Sequence, residues 1–456
     1  MRHTLLPAAL LFAAALTFAP AGVQAADVDA VRTEQVRARL AKLSTAEKQQ
    51  LAEAAAKIAA DKSAALNVRV GAIRSIGLLQ EASSVAFLRT LFTDAAVADE
   101  ARAAIQRIPG PDSVSALIAG LALVKDPVLV SGFLEGLGSL RAASAVLTIK
   151  GFIGAPAPAS EAAQRALAAI ATPDAFEALK GAPESDLKRD LLLDAAAKIL
   201  VCPKCDAATR ANVLATLRAI SSGQDKEAAF SAHLLRLRFQ DADAATALNS
   251  ASVEERRAAT VFLQNSRDTE SAKVLVASLE KASGDDLVSI AGAIAAQGLK
   301  NAVPAIKARV AKEDSTFVKG QLIKTLGQVG GAGDVAYLAG LLKAKDPVAD
   351  AAKAALMGIR GQGVTDAFVA LISDVNITRD NRLELLKIVR SRELRDAVPG
   401  LLSLLTDPEE DIRFGVLKIV DAFAIKAQLP LLKAAKTTPD TAERLASKIK
   451  KLEESK

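Results

Sequence analysis

The chain has 456 residues, and although 51% of them are hydrophobic, only 3% are aromatic. Its 58 Lys and Arg side chains exceed its 52 Asp and Glu side chains by six, a mild positive bias for this length. Carbohydrate binding often relies on aromatic faces, and nucleic-acid binding relies on dense positive charge with stacking side chains, so we expect neither. An interior built from Ala and Leu favours closely packed helices.

The first 25 residues have the pattern of a secretory signal peptide. Arg2 provides a positive start, an apolar segment follows at 5–18, and small residues precede Ala26. Cleavage after Ala25 would leave residues 26–456 in an exported compartment, either periplasmic or secreted. The apolar segment is too short to favour a spanning helix, and we expect no transmembrane segment in the mature chain.

Amphipathic helices recur along the chain with basic residues five positions apart. The four stretches with this pattern are NVRVGAIRSIG at 67–77, FVKGQLIKTLG at 317–327, NRLELLKIVRS at 381–391 and DIRFGVLKIVD at 411–421. Their basic pairs are Arg69 and Arg74, Lys319 and Lys324, Arg382 and Lys387, and Arg413 and Lys418. Apolar residues lie between them at helical spacing, so each stretch is predicted to form a helix of about three turns.

Glycine and valine recur after these helices at fixed distances. Gly77, Gly138 and Gly327 lie where we expect such helices to end, because a residue that adopts positive φ is favoured there. The residues eight positions later are predicted to begin the next helix, and they are Val85, Val146 and Val335.

Turn signals divide the chain into helical hairpins at intervals of about 30 residues, marked by Asp-Pro at 126–127, 346–347 and 407–408. The chain is therefore predicted to be all-α, with about thirteen stacked antiparallel helix pairs in one continuous α-solenoid over residues 26–456. We expect an irregular joint near residues 200–208, where the interval is longest, and a polar capping helix at 439–456.

The repeat resembles HEAT repeats, in particular the short HEAT-like repeats of the phycobilisome-lyase type. The resemblance depends on residues 407–413, on the frame of 68–77 and on the AVPGL segment at 397–401. It implies a right-handed superhelix that tends to bind proteins, and it does not imply an enzyme. It also implies a structural ladder, in which turn aspartates pair with helix arginines such as Arg69 and Arg413. The aspartates at matching positions are Asp94, Asp126, Asp346 and Asp407.

The only two cysteines, Cys202 and Cys205, form a C-x-x-C pair at the predicted joint. Haem attachment requires a histidine next, where Asp206 stands, and structural zinc usually requires four Cys or His ligands, which the chain cannot supply. In an oxidising compartment we expect a disulfide that stabilises the joint by about 2 kcal/mol. The alternative is a redox-active pair, because a helix N-terminus and Lys204 would lower the pKa of Cys205.

The mature chain has a single histidine, His233, which excludes a multi-histidine metal site. We interpret His233 as a helix-surface or packing residue. A role as third metal ligand beside Cys202 and Cys205 would need a fourth ligand such as Asp206. We predict no metal, no cofactor and no catalytic residues.

The basic positions define a candidate binding face, because in this architecture the second helix of each hairpin usually lines the concave surface. Its members are Arg69, Arg74, Arg236, Arg238, Lys319, Lys324, Arg382, Lys387, Arg413 and Lys418, to which Arg256 and Arg257 add. Positive charge along such a groove would be interrupted, since Glu135 stands where the second basic residue of a pair would be. The competing interpretation is that one arginine per repeat serves the ladder and the other basic side chains are solvated.

The sequence therefore predicts a non-enzymatic interaction scaffold in an exported compartment, which binds a protein or peptide along its concave face. The mild positive charge permits an acidic partner without requiring one. Two alternatives stay open at this point. One is a thiol–disulfide oxidoreductase centred on Cys202 and Cys205, and the other is a lyase-like accessory protein, which the repeat resemblance suggests.

Overall fold

Helices account for all the regular structure in the computed structural model, which describes residues 38, 40, 42–240, 242–342 and 347–455. No β-strand occurs among these residues, so the prediction of an all-α fold is confirmed. The predicted leader at 1–25 and the ladder residue Asp346 lie outside the described residues. Across the described part of the chain, no helix combines the length and the apolar character needed to span a membrane.

The chain divides into two compact units, with the boundary between Leu235 and Arg236. The α-helices of the first unit are α1 Thr45–Ala60, α2 Leu66–Leu79, α3 Val85–Thr90, α4 Ala98–Gln106, α5 Pro111–Leu121, α6 Pro127–Ser139, α7 Val146–Lys150, α8 Ala159–Ile170, α9 Pro173–Lys180, α10 Asp186–Val201 and α11 Ala207–Ser221. The boundary falls within α12, Lys226–Arg238. That the solenoid is continuous over the whole chain, and that it is right-handed, stay predictions.

The second unit contains the remaining helices. They are α13 Ala244–Ala247, α14 Val253–Asn265, α15 Thr269–Ser278, α16 Gly284–Gln297, α17 Val303–Lys312, α18 Thr316–Val329, α19 Val335–Leu341, α20 Pro347–Gly358, α21 Val364–Ser373, α22 Arg379–Ser391, α23 Val398–Leu401, α24 Glu410–Phe423, α25 Leu429–Ala434 and α26 Pro439–Glu454. Short 3-10 helices adjoin several of them, at Ala82–Ser84, Leu91–Thr93, Ala143–Ala145, Lys300–Ala302, Ala332–Asp334, Arg395–Ala397, Leu402–Thr406 and Lys426–Gln428.

Within each unit the helices pack in two layers. The even-numbered helices form one layer, which we call the even-helix layer. Each of them contacts the next even-numbered helix, from α2 to α10 in the first unit and from α14 to α26 in the second. In the odd-helix layer, α3 packs on α5, α7 on α9, α19 on α21 and α21 on α23. Each hairpin therefore buries its apolar face against its neighbours, which is the packing that defines an α-solenoid.

Three glycines permit close packing within the even-helix layer. Gly77, Gly138 and Gly327 lie inside α2, α6 and α18, and none of them has a positive φ. A Cβ atom on them would lie 2.8, 2.7 and 2.5 Å from the Cα atoms of Ala104, Ala166 and Ala355 on the next even-numbered helix. The prediction that they end helices with positive φ was therefore wrong, because the missing side chain serves helix approach. Positive φ occurs three residues later, at Gln80 and Arg141.

Other boundaries agree with the sequence. Helices begin at Val85, Val146 and Val335, as predicted. The predicted capping segment at 439–456 contains α26, which buries Thr441 and Leu445 while its other residues are exposed or half-buried. That α26 caps the solenoid stays a prediction. The expected joint near 200–208 is a short turn between α10 and α11.

Candidate protein-binding surface

Arg69 joins two successive hairpins of the first unit. Its Nε donates to the carbonyl of Ala59 at 3.0 Å, and its Nη2 donates to Oδ2 of Asp94 at 2.7 Å. The other carboxylate oxygen of Asp94 accepts from the amide of Ala96 at 3.2 Å, which fixes the turn. The hydrogen bond from Arg69 holds the pKa of the Asp94 carboxyl below its ordinary value.

Arg382 repeats this geometry in the second unit. Its Nε donates to the carbonyl of Ile372 at 2.6 Å, and both terminal nitrogens donate to the carboxylate of Asp407. Asp407 also accepts from the amide two residues later, that of Glu409, at 3.0 Å. In both units the carbonyl lies 10 residues before the arginine and the aspartate lies 25 residues after it.

These contacts correct part of the candidate face. Arg69 and Arg382 are only 6% and 3% exposed, so assigning them to a binding face was wrong, and their charge is used inside the protein. The ladder implied by the resemblance occurs at Asp94 and Asp407, where the partners are Arg69 and Arg382. The assignment of Arg413 to this ladder was wrong, because its side chain donates to Asp440. Among the described residues, Asp126 makes only the turn contact, accepting from the amide two residues later at 3.1 Å. Its assignment to the ladder was wrong, because the residue 25 positions before it is an alanine.

A second arginine arrangement also joins hairpins in the second unit. Arg413 donates from Nε and Nη2 to Asp440 at 2.9 and 2.6 Å, and Arg256 donates from Nε to Asp286 at 2.7 Å. The Nη1 of each donates to the carbonyls five and six residues earlier. The Arg413 side chain is 15% exposed, so it too is structural and does not belong to an open binding face.

The second unit keeps four lysines at equivalent exposed positions of consecutive even-numbered helices. We call Lys324 on α18, Lys353 on α20, Lys387 on α22 and Lys418 on α24 the lysine row. Lys418 illustrates the geometry, since residues 416, 417, 419 and 420 are all buried. Because successive helical residues are about 100° apart, those neighbours cover the rest of the circumference and the lysine lies at the centre of the exposed arc.

Buried residues flank Lys324 and Lys387 in the same way, at 322, 323, 325 and 326 and at 385, 386, 388 and 389. Lys353 shares its exposed arc with Ala354, between the buried pairs 351–352 and 355–356. Lys353 was not predicted from the sequence, because α20 has one basic residue in place of a pair. The signal that could have found it is its position between two buried pairs.

The lysine row has little compensating negative charge. Glu384 of α22 forms ion pairs with Lys353 and Lys387, which places these two lysines side by side. Burial would raise the pKa of the Glu384 carboxyl, but hydrogen bonds from both lysines hold it below its ordinary value. Lys324 and Lys418 form no ion pair with any carboxylate in the described part of the chain.

The other predicted members of the face differ from the row. Arg74 is exposed, but it forms a two-bond ion pair with Glu100 at 2.9 and 2.6 Å. Lys319 and Arg236 are half-buried, and Arg238 is exposed. In the first unit, Glu135 stands at the position equivalent to the lysine row, so charge there is mixed.

Cys202 and Cys205 lie in one tight turn. The amide of Cys205 donates to the carbonyl of Cys202 at 3.1 Å, which brings their Cα atoms within about 7 Å, close to the span of a disulfide. Both are free thiols in the structure, so the disulfide stays a prediction.

The thiol of Cys205 is not activated. Burial raises its pKa, the charges of Asp206 and Cys202 act in the same direction, and only Arg210 opposes them. The N-cap of α11 is Asp206, whose Oδ1 accepts from the amide of Thr209 at 2.8 Å. The expectation of a lowered pKa was therefore wrong, because burial raises the pKa of this thiol and the Asp206 carboxylate at the helix N-terminus adds to the effect.

His233 is 5% exposed within α12, which agrees with its interpretation as a packing residue. The described residues contain no cluster of three or more His, Cys, Asp or Glu side chains that could hold a metal ion.

No protein-family profile and no curated protein matches the chain. Solved structures similar to it include Kap95p, which binds RanGDP, at 12% identity, with 97% of this chain and 72% of that chain covered and a TM-score of 0.44. Kap121p has 12% identity over 85% of this chain and 47% of its own, with a TM-score of 0.40. Human deoxyhypusine hydroxylase has 16% identity, with 62% of this chain and 98% of that chain covered and a TM-score of 0.26. At these scores the neighbours support no inference about function, and the solenoid assignment depends on the helix packing described above.

Proposed function

We propose that this chain is a non-enzymatic protein-binding scaffold, and that it binds an acidic protein segment on the lysine row of its second unit. The observation that carries the proposal is the recurrence of an exposed lysine on four consecutive even-numbered helices, at Lys324, Lys353, Lys387 and Lys418. The buried arginines Arg69 and Arg382 each already have a carboxylate partner. Of the four row lysines, Lys353 and Lys387 share Glu384, and the other two form no ion pair in the described part of the chain. A row of one sign of charge attracts partners of the opposite sign and orients them on approach.

We also propose that the scaffold acts in an exported compartment. The support is the signal-peptide pattern of residues 1–25, which predicts cleavage before Ala26. Mass spectrometry of the protein purified from its native source should give a mature chain that begins at Ala26. Recovery of a chain that retains its first 25 residues from the cytosol would contradict this part of the proposal.

The binding experiment uses a fluorescein-labelled glutamate-rich peptide and the full mature chain, and it measures anisotropy at low and moderate salt. The test variant is Lys324→Glu with Lys418→Glu, since neither lysine contacts a carboxylate in the described part of the structure. The matched control is Lys281→Glu with Lys312→Glu, which makes the same change in net charge at exposed positions outside the even-helix layer.

We expect the test variant to bind the glutamate-rich peptide at least tenfold more weakly (about 1.4 kcal/mol) than the control variant does. We also expect its affinity to depend less on salt. Equal affinities for the two variants would contradict it. Reversal of Arg382 or Arg413 would be a poor test, because both side chains are structural and the variants would report on folding.

The described residues give no support to the two alternatives, a thiol–disulfide oxidoreductase and a lyase-like accessory protein. A thiol–disulfide oxidoreductase favours a thiolate with a lowered pKa, and the pKa of Cys205 is raised. For a lyase-like accessory activity, no observation favours it over the scaffold.

A further inference from the structure

The spacing of the lysine row sets the spacing of charge on its partner. We infer that the partner segment is extended, in the polyproline II conformation, and carries an acidic side chain at every third position. This inference rests on the proposed function, because it describes the segment that would occupy the same row.

The row is a one-dimensional array with a fixed repeat. Its lysines lie on helices that contact one another in order, α18 with α20, α20 with α22 and α22 with α24. Packed helices lie about 8–10 Å apart, so successive row positions recur at about that distance. The approach of α18 to α20 is at the close end, because only a glycine at 327 fits against the backbone of Ala355.

Two regular peptide conformations repeat on one face at a similar distance. Polyproline II has three residues per turn and a rise of about 3.1 Å, so residues three apart share a face and lie about 9.3 Å apart. An α-helix places residues seven apart on nearly one face at about 10.5 Å. In a β-strand, residues three apart point to opposite faces, so a strand does not match.

The surroundings of the row favour the extended segment over a helix. An amphipathic helix docks by its apolar face into an apolar groove. Of the large apolar side chains that are exposed in the described residues, none lies on α20, α22 or α24, and Phe317 at the start of α18 is the sole one on the four helices. The row therefore offers charge without an apolar groove, which suits a segment recognised through its carboxylates.

The test compares three labelled peptides that carry four glutamates each, against the full mature chain at low salt. The first has Glu at every third position with Pro and Ala between, and the second has the same composition with its glutamates clustered. The third is an alanine-rich helix with Glu at every seventh position. The variants are Lys353→Gln, which removes one internal row position, and the Lys281→Gln control.

We expect the peptide with Glu at every third position to bind at least fivefold more tightly than the other two peptides. We also expect Lys353→Gln to weaken binding of that peptide about two- to fivefold and Lys281→Gln to leave it unchanged. Equal binding of the clustered peptide, or tighter binding of the helical one, would overturn the inference.

Failure of the inference can be separated from failure of the proposed function by the charge-reversal variants. If all peptides bind alike and all lose affinity with Lys324→Glu and Lys418→Glu, the row binds acidic chains without regard to spacing and only the inference fails. If no peptide distinguishes those variants from the Lys281→Glu and Lys312→Glu control, the proposed function fails with it.

Discussion

The guanidinium group of Arg382 and the carboxylate of Asp407 form an ion pair that is almost completely removed from water, with side chains 4% and 2% exposed. The Nε of Arg382 donates to the carbonyl of Ile372, so the guanidinium is held from both sides. Because each charge is costly to bury alone, each depends on the other, and together they fix two successive hairpins.

Removing one partner of this pair should be strongly destabilising. We expect Asp407→Ala to lower the free energy of unfolding by about 3–5 kcal/mol, because it leaves the charge of Arg382 buried without a counter-charge. Urea-induced unfolding followed by circular dichroism measures the difference. The double variant Arg382→Met with Asp407→Leu should recover most of the loss, since it buries no charge.

Asp126→Ala is the matched control, because Asp126 occupies the equivalent turn and its side chain makes only the cap contact with Val128 within the part of the chain that the structure describes. We expect it to cost about 1 kcal/mol. If Asp407→Ala and Asp126→Ala cost the same, the buried pair contributes nothing beyond a helix cap, and the structural role given to Arg382 is wrong.

The spacing of the basic pairs already contained the distinction between structural and exposed residues. Residues five apart on a helix lie about 140° apart around its axis, so the two members of a pair cannot share one face. In the structure, Arg69 and Arg382 are buried, whereas their partners Arg74 and Lys387 are exposed. The sequence predicted the helices and the ladder aspartates Asp94 and Asp407, but the assignment of both members of each pair to one surface was wrong.

Other features could not be read from a single sequence. The backbone contact of Gly77 with Ala104 joins two helices whose packing depends on the whole stack, and no local pattern indicates it. A glycine near a helix C-terminus has the same local signature whether it supplies positive φ or close approach. Burial around the turn likewise decided the pKa of Cys205, because it outweighed the charge of Arg210.

Gly77→Ala should destabilise the chain because it fills that contact. The new Cβ would lie 2.8 Å from the Cα of Ala104 and 3.2 Å from its carbonyl oxygen, so the two helices must move apart. We expect a loss of about 1–3 kcal/mol in the free energy of unfolding, measured by urea titration. Gly71 lies in the same helix, and a Cβ added there would meet no atom within 4 Å, so Gly71→Ala should raise stability by about 0.5–1 kcal/mol. Equal effects at 71 and 77 would show that helix propensity alone decides both.

Acid should weaken the ladder through Asp94. The pKa of its carboxyl is lowered in the folded chain by the hydrogen bond from Arg69, so the folded state favours the charged form. The resulting stability is present above the unfolded pKa of about 3.9 and is lost as the pH falls through the lower folded value. We expect Asp94→Asn to be less stable than the native chain at pH 7, and the difference to shrink steadily below about pH 4. A difference that is independent of pH would mean that the charge of Asp94 is not what Arg69 requires.

Oxidation of Cys202 and Cys205 should stabilise the chain without giving it redox activity. The turn already holds the two residues together, with the Cys205 amide bonded to the Cys202 carbonyl, so a disulfide would close a very small ring. We expect the oxidised chain to be about 2 kcal/mol more stable than the reduced chain in urea titrations.

Since the pKa of Cys205 is raised, the thiolate is scarce at neutral pH, and we expect slow reaction with a thiol reagent compared with free cysteine. The reduction potential should lie below about −300 mV, as for structural disulfides. A potential near about −200 mV together with rapid thiol reactivity would contradict the structural role and favour the oxidoreductase.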